Sequence, residues 1–258
     1  MPRSVNPPLF DNNPLRESKR AKVEIRRRVA AAINGPVHVF DAFAGAGGLY
    51  RDAWRSLAAS YVGCDLRYFR DGRKVFVADN RRVLRALDLA PFNVFDLDAY
   101  GAPWEQAVII AAKRKLAPGE RVGIIVTDNG LLYKNSNISH AVTDLIGLHR
   151  LKIPGSALFQ DRADIHAKIW NEIARRMFGR IEHFWQAEPK KKFVAIYQGV
   201  VLVGALEAER VIRAPRTSPA AMVPDAGLEL RSLDELVAPM KEVGSDDKSR
   251  NVDLRKTS

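Results

Sequence analysis

The chain has 258 residues, of which 17 are glycine and 14 proline, an ordinary globular proportion that excludes collagenous and low-complexity architectures. Apolar residues make up 47%, enough for a full core at this length, and no apolar run approaches the roughly 18 residues of a membrane span. Lysine and arginine number 41 against 30 acids, a formal charge of +11 that favours polyanionic partners. The single cysteine, Cys64, excludes an intramolecular disulfide and a multi-cysteine zinc site in one copy, and residues 1–8 lack a hydrophobic leader, so a soluble, cytoplasmic protein is expected.

The charge is unevenly placed. Residues 1–34 carry 8 basic and 3 acidic side chains, residues 35–204 carry 24 and 17, and residues 205–258 carry 9 and 10. The first 18 residues are rich in proline and asparagine and read as loop. Residues 17–33 then set Val23, Ile25, Val29, Ala30 and Ile33 among Lys19, Arg20, Lys22 and Arg26 to Arg28, the pattern of a basic amphipathic helix closed by Asn34-Gly35-Pro36. From Val37 onward short apolar runs alternate with helical patterns. Strands are predicted over 37–41, 61–65, 75–79, 93–98 and 122–128, with helices over 49–59, 81–89 and 103–116. Helices over 140–148 and 162–178 follow. Two last strands, over 181–188 and 193–203, are joined by Pro189-Lys190-Lys191-Lys192, a connector short enough for an antiparallel hairpin. Continuously apolar strands alternating with helices imply a parallel sheet covered on both faces. The expected organisation is a basic extension with a helix over 1–35, an α/β domain over 36–204 and a partly disordered appendage over 205–258.

Asp41, Asp65, Asp79, Asp98 and Asp128 each close a predicted strand. In a doubly wound sheet ligands bind outside the carboxyl ends of the strands, so acids placed there would line one crevice, although an aspartate after a strand is also a good helix N-cap. After the first strand comes Asp41-Ala42-Phe43-Ala44-Gly45-Ala46-Gly47-Gly48-Leu49, whose glycines allow close ligand approach and positive φ. The spacing departs from the dinucleotide pattern G-x-G-x-x-G, and an acid at its start repels phosphate while accepting a hydrogen bond from an ammonium group. Asp65 is placed to accept both hydroxyls of an unphosphorylated ribose. A ligand with an amine at one end and adenosine at the other fits this pair.

With these residues in register, the chain over about 36–204 resembles the class I S-adenosylmethionine-dependent methyltransferases. The resemblance implies a Rossmann-like sheet of seven strands with helices on both faces and a reversed last strand. It also implies cofactor contacts: Asp41, Gly45 and Gly47 to the methionine part, Asp65 to the ribose, Asp79 and Asn80 to adenine, with Ala42, Phe43, Leu66 and Asp96 as further contacts.

The glycine motif is similar to that of DNA cytosine-C5 methyltransferases, whose chemistry needs a nucleophilic thiolate after the fourth strand. Cys64 lies in the second strand instead, where it reads as a small buried apolar residue, so C5 chemistry is excluded. The segment that follows the fourth strand, Asp96-Leu97-Asp98-Ala99-Tyr100-Gly101-Ala102-Pro103, resembles the Asp-Pro-Phe-Gly-Ser-Pro motif of the tRNA guanine-N2 dimethyltransferases and, more distantly, Asp-Pro-Pro-Tyr of amino-methylating DNA enzymes. By that resemblance Asp98 accepts the N–H bonds of an exocyclic amine and Tyr100 stacks on the base. Ala99 stands where the family has proline, and the 54 residues after Gly204 fall short of the tRNA enzymes' C-terminal domain, so the same RNA substrate is not implied. Lys190, Lys191 and Lys192, with Arg26 and Arg27, are the expected contacts to a nucleic acid, DNA or RNA. No metal site is expected, because the histidines are isolated or lack further ligands at metal spacing. Two alternatives share these features: a methyltransferase of a protein or small molecule, and a non-catalytic module that retained the fold.

Overall fold

The computed structural model describes residues 14–129, 140–147, 160–187 and 195–206. In chain order the elements are α1 (Pro14–Ala32), β1 (His38–Asp41), a π-helical turn (Tyr50–Trp54) running into the short α2 (Arg55–Leu57), β2 (Ser60–Asp65) and β3 (Val75–Val77). Then come α3 (Asn80–Ala86), β4 (Val94–Leu97), α4 (Trp104–Lys113), β5 (Arg121–Asn129), α5 (His140–Leu145), α6 (Arg162–Arg176), β6 (Gly179–Ala187) and β7 (Ala195–Gly204). One sheet contains all seven strands in the order β3-β2-β1-β4-β5-β7-β6. β1 to β5 pair in parallel, while β7 lies antiparallel between β5 and β6. The reversed last strand of a seven-stranded Rossmann-like sheet is therefore present.

Alternation along the strands builds a core on each face. Phe40, Phe95, Leu97 and Ile124 face one side with Trp104 and Ile110 of α4 and Ile169, Trp170 and Ile173 of α6. Val39, Val94 and Ile125 face the other with Val201, Trp54 and the α1 stripe Ile25, Val29 and Ile33. The N-terminal helix is thus a packed layer of the domain. Glycines let it sit close: a Cβ on Gly123 would fall 2.4 Å from Val29, and one on Gly199 would fall 2.6 Å from Ile25. Gly35, at φ +112°, then turns the chain into β1.

The remaining helices follow the expected pattern with shorter bounds. The helix predicted over 49–59 is the π turn and α2, ended by the extended backbone of Ala58. Asp79 caps α3 by accepting the Arg81 N–H. The C-terminal carbonyls of α3 at Leu84 and Arg85 accept from the Lys113 ammonium, as does that of Leu87 just beyond, so the last residue of α4 terminates α3. Among the described residues no helix is long and apolar enough to cross a membrane. The Pro189–Lys192 connector and the segment after 206 lie outside the described residues.

Candidate functional site

The glycine loop is built from both sides. Ala42 and Ala44 donate backbone N–H bonds to Asp96 and Cys64, tying the loop to β4 and β2. Gly45 and Gly47 take φ values of +45° and +75°, and a Cβ at Gly47 would meet the Arg73 guanidinium at 2.8 Å. That guanidinium crosses the loop, donating to the Ala44 and Gly45 carbonyls at 2.9 and 2.7 Å while pairing with Asp71. The Asp65 carboxylate accepts the Gly45 N–H at 2.8 Å through Oδ2 and the Arg67 N–H through Oδ1. The Gly47 N–H is spent on Ala44. Two N–H groups that would cradle a phosphate in a dinucleotide site are consumed by Asp65 and Ala44, so the donor set suits a ligand without phosphate. Each Asp65 oxygen keeps one lone pair, the arrangement a vicinal diol needs. Leu66 beside it is 75% exposed, an uncovered apolar wall. These residues fit an adenosine-bearing cofactor without phosphate.

The strand-end acids divide into two groups. Asp65, Asp79 and Asp98 keep partial access to solvent. Asp79 faces Arg81, which together with backbone N–H bonds holds its carboxyl below the usual range. Asn80 donates to the Ala42 carbonyl and accepts from Gln106, linking α3 and α4 to the loop. Asp41, Asp96 and Asp128 turn inward. Asp41 accepts the Tyr61 hydroxyl and the Phe43 N–H, and burial with the nearby charge of Asp96 pushes its carboxyl up to about 7. Ala42 is buried with it, and Phe43 is half-buried. The single crevice lined by five acids is therefore reduced to three acids at its rim.

Asp96 is fully buried and accepts Arg26 Nε at 2.7 Å, Arg26 Nη2 at 2.6 Å and Trp54 Nε1 at 2.6 Å. Its role is to anchor α1 to the end of β4, and its side chain does not reach the crevice. Arg26 is corrected with it. Expected on a nucleic-acid surface, its side chain is 1% exposed and is consumed by Asp96, because the helix turns it toward the sheet beside the Ile25 and Val29 stripe. Arg27 remains exposed. Lys190, Lys191 and Lys192 lie outside the described residues.

Asp98, just beyond β4, is held by α1 as well. The Lys22 ammonium contacts its two oxygens at 2.6 and 2.9 Å, and the Thr127 hydroxyl donates to Oδ1. Burial pushes this carboxyl up, but the positive charges of Arg26 and Lys22 outweigh it and hold the pKa below the usual value. Tyr100, two residues on, has its ring fully exposed. Cys64 is buried in β2 with its thiol on the Ala78 carbonyl, and burial with the charge of Asp65 pushes it up to about 11, which leaves no thiolate at neutral pH.

Sequence reasoning missed a buried polar network at the end of β5. Asp128 Oδ2 accepts from Trp104 Nε1 at 3.1 Å and meets His166 Nε2 at 2.7 Å. The other ring nitrogen of His166 faces the Gln198 amide, whose oxygen takes the Trp170 N–H. With the Gln198 amide directed at Nδ1, Nε2 is the ring nitrogen that donates to Asp128, and the set locks α6 to β5 and β7. Asp128 and His166 are 38 residues apart, and only the fold makes them a pair.

No family model and no curated protein sequence matches this chain. Solved structures with a similar arrangement include the complex of Trm1 from Pyrococcus horikoshii with S-adenosyl-L-methionine, at 18% identity over 81% of this chain and 60% of that chain, TM-score 0.47. M. jannaschii TYW2 in complex with AdoMet is similar at 10% identity over 76% of this chain and 78% of that one, TM-score 0.43. A 1,6-didemethyltoxoflavin-N1-methyltransferase from Burkholderia thailandensis, with bound S-adenosylhomocysteine, reaches 15% identity over 78% and 94%, TM-score 0.38. This chain spans 60% of the length of the Trm1 chain. Such distant likenesses leave the functional reading to the geometry of the site itself.

Proposed function

We propose that this chain is an S-adenosylmethionine-dependent methyltransferase acting on an exocyclic amine of a nucleic acid base. The observation that carries the reading is Asp98: immediately beyond β4, on the sheet edge that also carries the glycine loop, its carboxylate already holds an amine, the Lys22 ammonium, through both oxygens. The glycine loop with Asp65 and Leu66 would hold the cofactor, Asp79 and Asn80 would meet its adenine, and the cofactor when bound would supply an electrophilic methyl group on sulfur. Asp98, kept ionised by its basic neighbours, accepts hydrogen bonds and donates none. An amine bound there directs its N–H bonds at the carboxylate and its lone pair elsewhere, so the contribution of the chain is positioning. The exposed ring of Tyr100 offers a stacking face for an unpaired base.

Isothermal titration with S-adenosylmethionine tests the cofactor half. Wild type should bind and Asp65→Ala should bind at least tenfold more weakly; no binding by wild type, or equal binding by both, would overturn it.

A further inference from the structure

The fold redistributes the positive charge that the sequence suggests for α1. Arg26 goes inside and Lys22 is taken by Asp98. A different basic surface is exposed at the β2–β3 connection, residues 66–74. Arg67, Arg70 and Lys74 are exposed and pair with no carboxylate among the described residues. Among them Tyr68 is 72% exposed. Asp71, the one acid within this stretch, is bridged by Arg73 at 2.6 Å, with exposed Arg51 of the π turn close enough to add to the positive field on it. The connection is also anchored: Arg73 points inward and fastens it to the Ala44 and Gly45 carbonyls. It starts at the carboxyl end of β2, the sheet edge on which Asp98 and Tyr100 lie.

Exposed cations interleaved with an exposed aromatic ring along one connection match a polynucleotide strand, whose phosphates need point charges and whose unstacked bases need a flat apolar face. A lone anion would use the charges and leave Tyr68 without purpose. We propose that the β2–β3 connection is a docking surface for single-stranded nucleic acid, with Arg67, Arg70 and Lys74 on phosphates and Tyr68 stacked on a base. This rests on the nucleic-acid reading above, and it supplies the substrate contacts that Arg26 cannot make. A single strand is specified because an exocyclic amine inside a duplex is paired and out of reach of Asp98.

The test is fluorescence anisotropy with labelled 20-nucleotide single-stranded RNA and DNA, over a salt series, on the full chain. Wild type should bind at least one of them. The triple variant Arg67→Gln, Arg70→Gln, Lys74→Gln should bind at least tenfold more weakly at low salt, with the salt slope reduced by about 2, as three lost single-strand phosphate contacts require. Tyr68→Ala should weaken binding about tenfold with the slope unchanged. Both variants should keep the wild-type affinity for S-adenosylmethionine and the wild-type melting temperature, which shows that they fold. Binding by wild type with unchanged affinity and slope in both variants would overturn this surface alone. No binding by wild type would overturn the nucleic-acid reading together with it. Tighter binding of labelled polyglutamate than of either oligonucleotide would assign the surface to an acidic polypeptide and overturn the proposal.

Discussion

Replacing Arg26 by methionine separates a structural cation from a surface one. The variant removes two of the three side-chain hydrogen bonds to Asp96 and leaves a fully buried carboxylate with the Trp54 N–H alone, near the equally buried Asp41. Breaking a buried pair by removing one partner costs about 3–5 kcal/mol. For a domain of this size each kcal/mol lowers the melting temperature by roughly 2–4 °C, so a fall of about 6–20 °C is expected. Pairing the change with Asp96→Asn removes the buried charge and should return most of the loss. Thermal melts of wild type and variants, with a double-mutant cycle by urea unfolding, make the measurement. An Arg26→Met protein that melts within 2 °C of wild type but loses affinity for nucleic acid would refute the reasoning and return Arg26 to the surface.

Three further outcomes are expected. Asp41 is raised to about 7 in the folded chain, so its contribution to stability is lost as pH climbs from about 4 to 7; Asp41→Asn should gain on wild type across that window, and parallel unfolding curves would refute it. Lys22→Met should move the acidic limb of the kcat/KM profile to higher pH, because the carboxyl of Asp98 loses a charge that holds it down; an unmoved limb would show that Asp98 is not the group being read. Gly47→Ala should weaken S-adenosylmethionine binding at least tenfold, since a side chain at φ +75° also collides with the Arg73 guanidinium; unchanged affinity by titration would count against the loop as the cofactor cradle.

The parallel sheet and its reversed final pair were legible because each strand is a short apolar run between turn residues, and a short connector permits only an antiparallel neighbour. The glycine loop was legible because few other sequences supply positive φ directly after a strand. The inward course of Arg26 was not. In a run of Arg26, Arg27 and Arg28 the side chains look equivalent, and only the docking of α1 decides which one meets the sheet. A signal existed in the spacing: residues four apart on a helix rise about 6 Å, and residues two apart on an extended strand about 6.7 Å. Lys22 and Arg26 are therefore in register with Asp98 and Asp96, a match visible once the strand end is known to lie beneath the helix. Asp128 and His166 offered no such spacing, since their pairing depends on α6 crossing back over β5.

The proposed reaction is methyl transfer to an exocyclic nitrogen of a nucleic acid base. The most direct measurement is incubation of the chain with methyl-labelled S-adenosylmethionine and total RNA or single-stranded DNA, followed by digestion and mass spectrometry of the nucleosides. Label is expected on an exocyclic nitrogen, lost in Asp98→Ala while cofactor binding persists. Label on a base carbon, label confined to protein, or no transfer to either nucleic acid would contradict it.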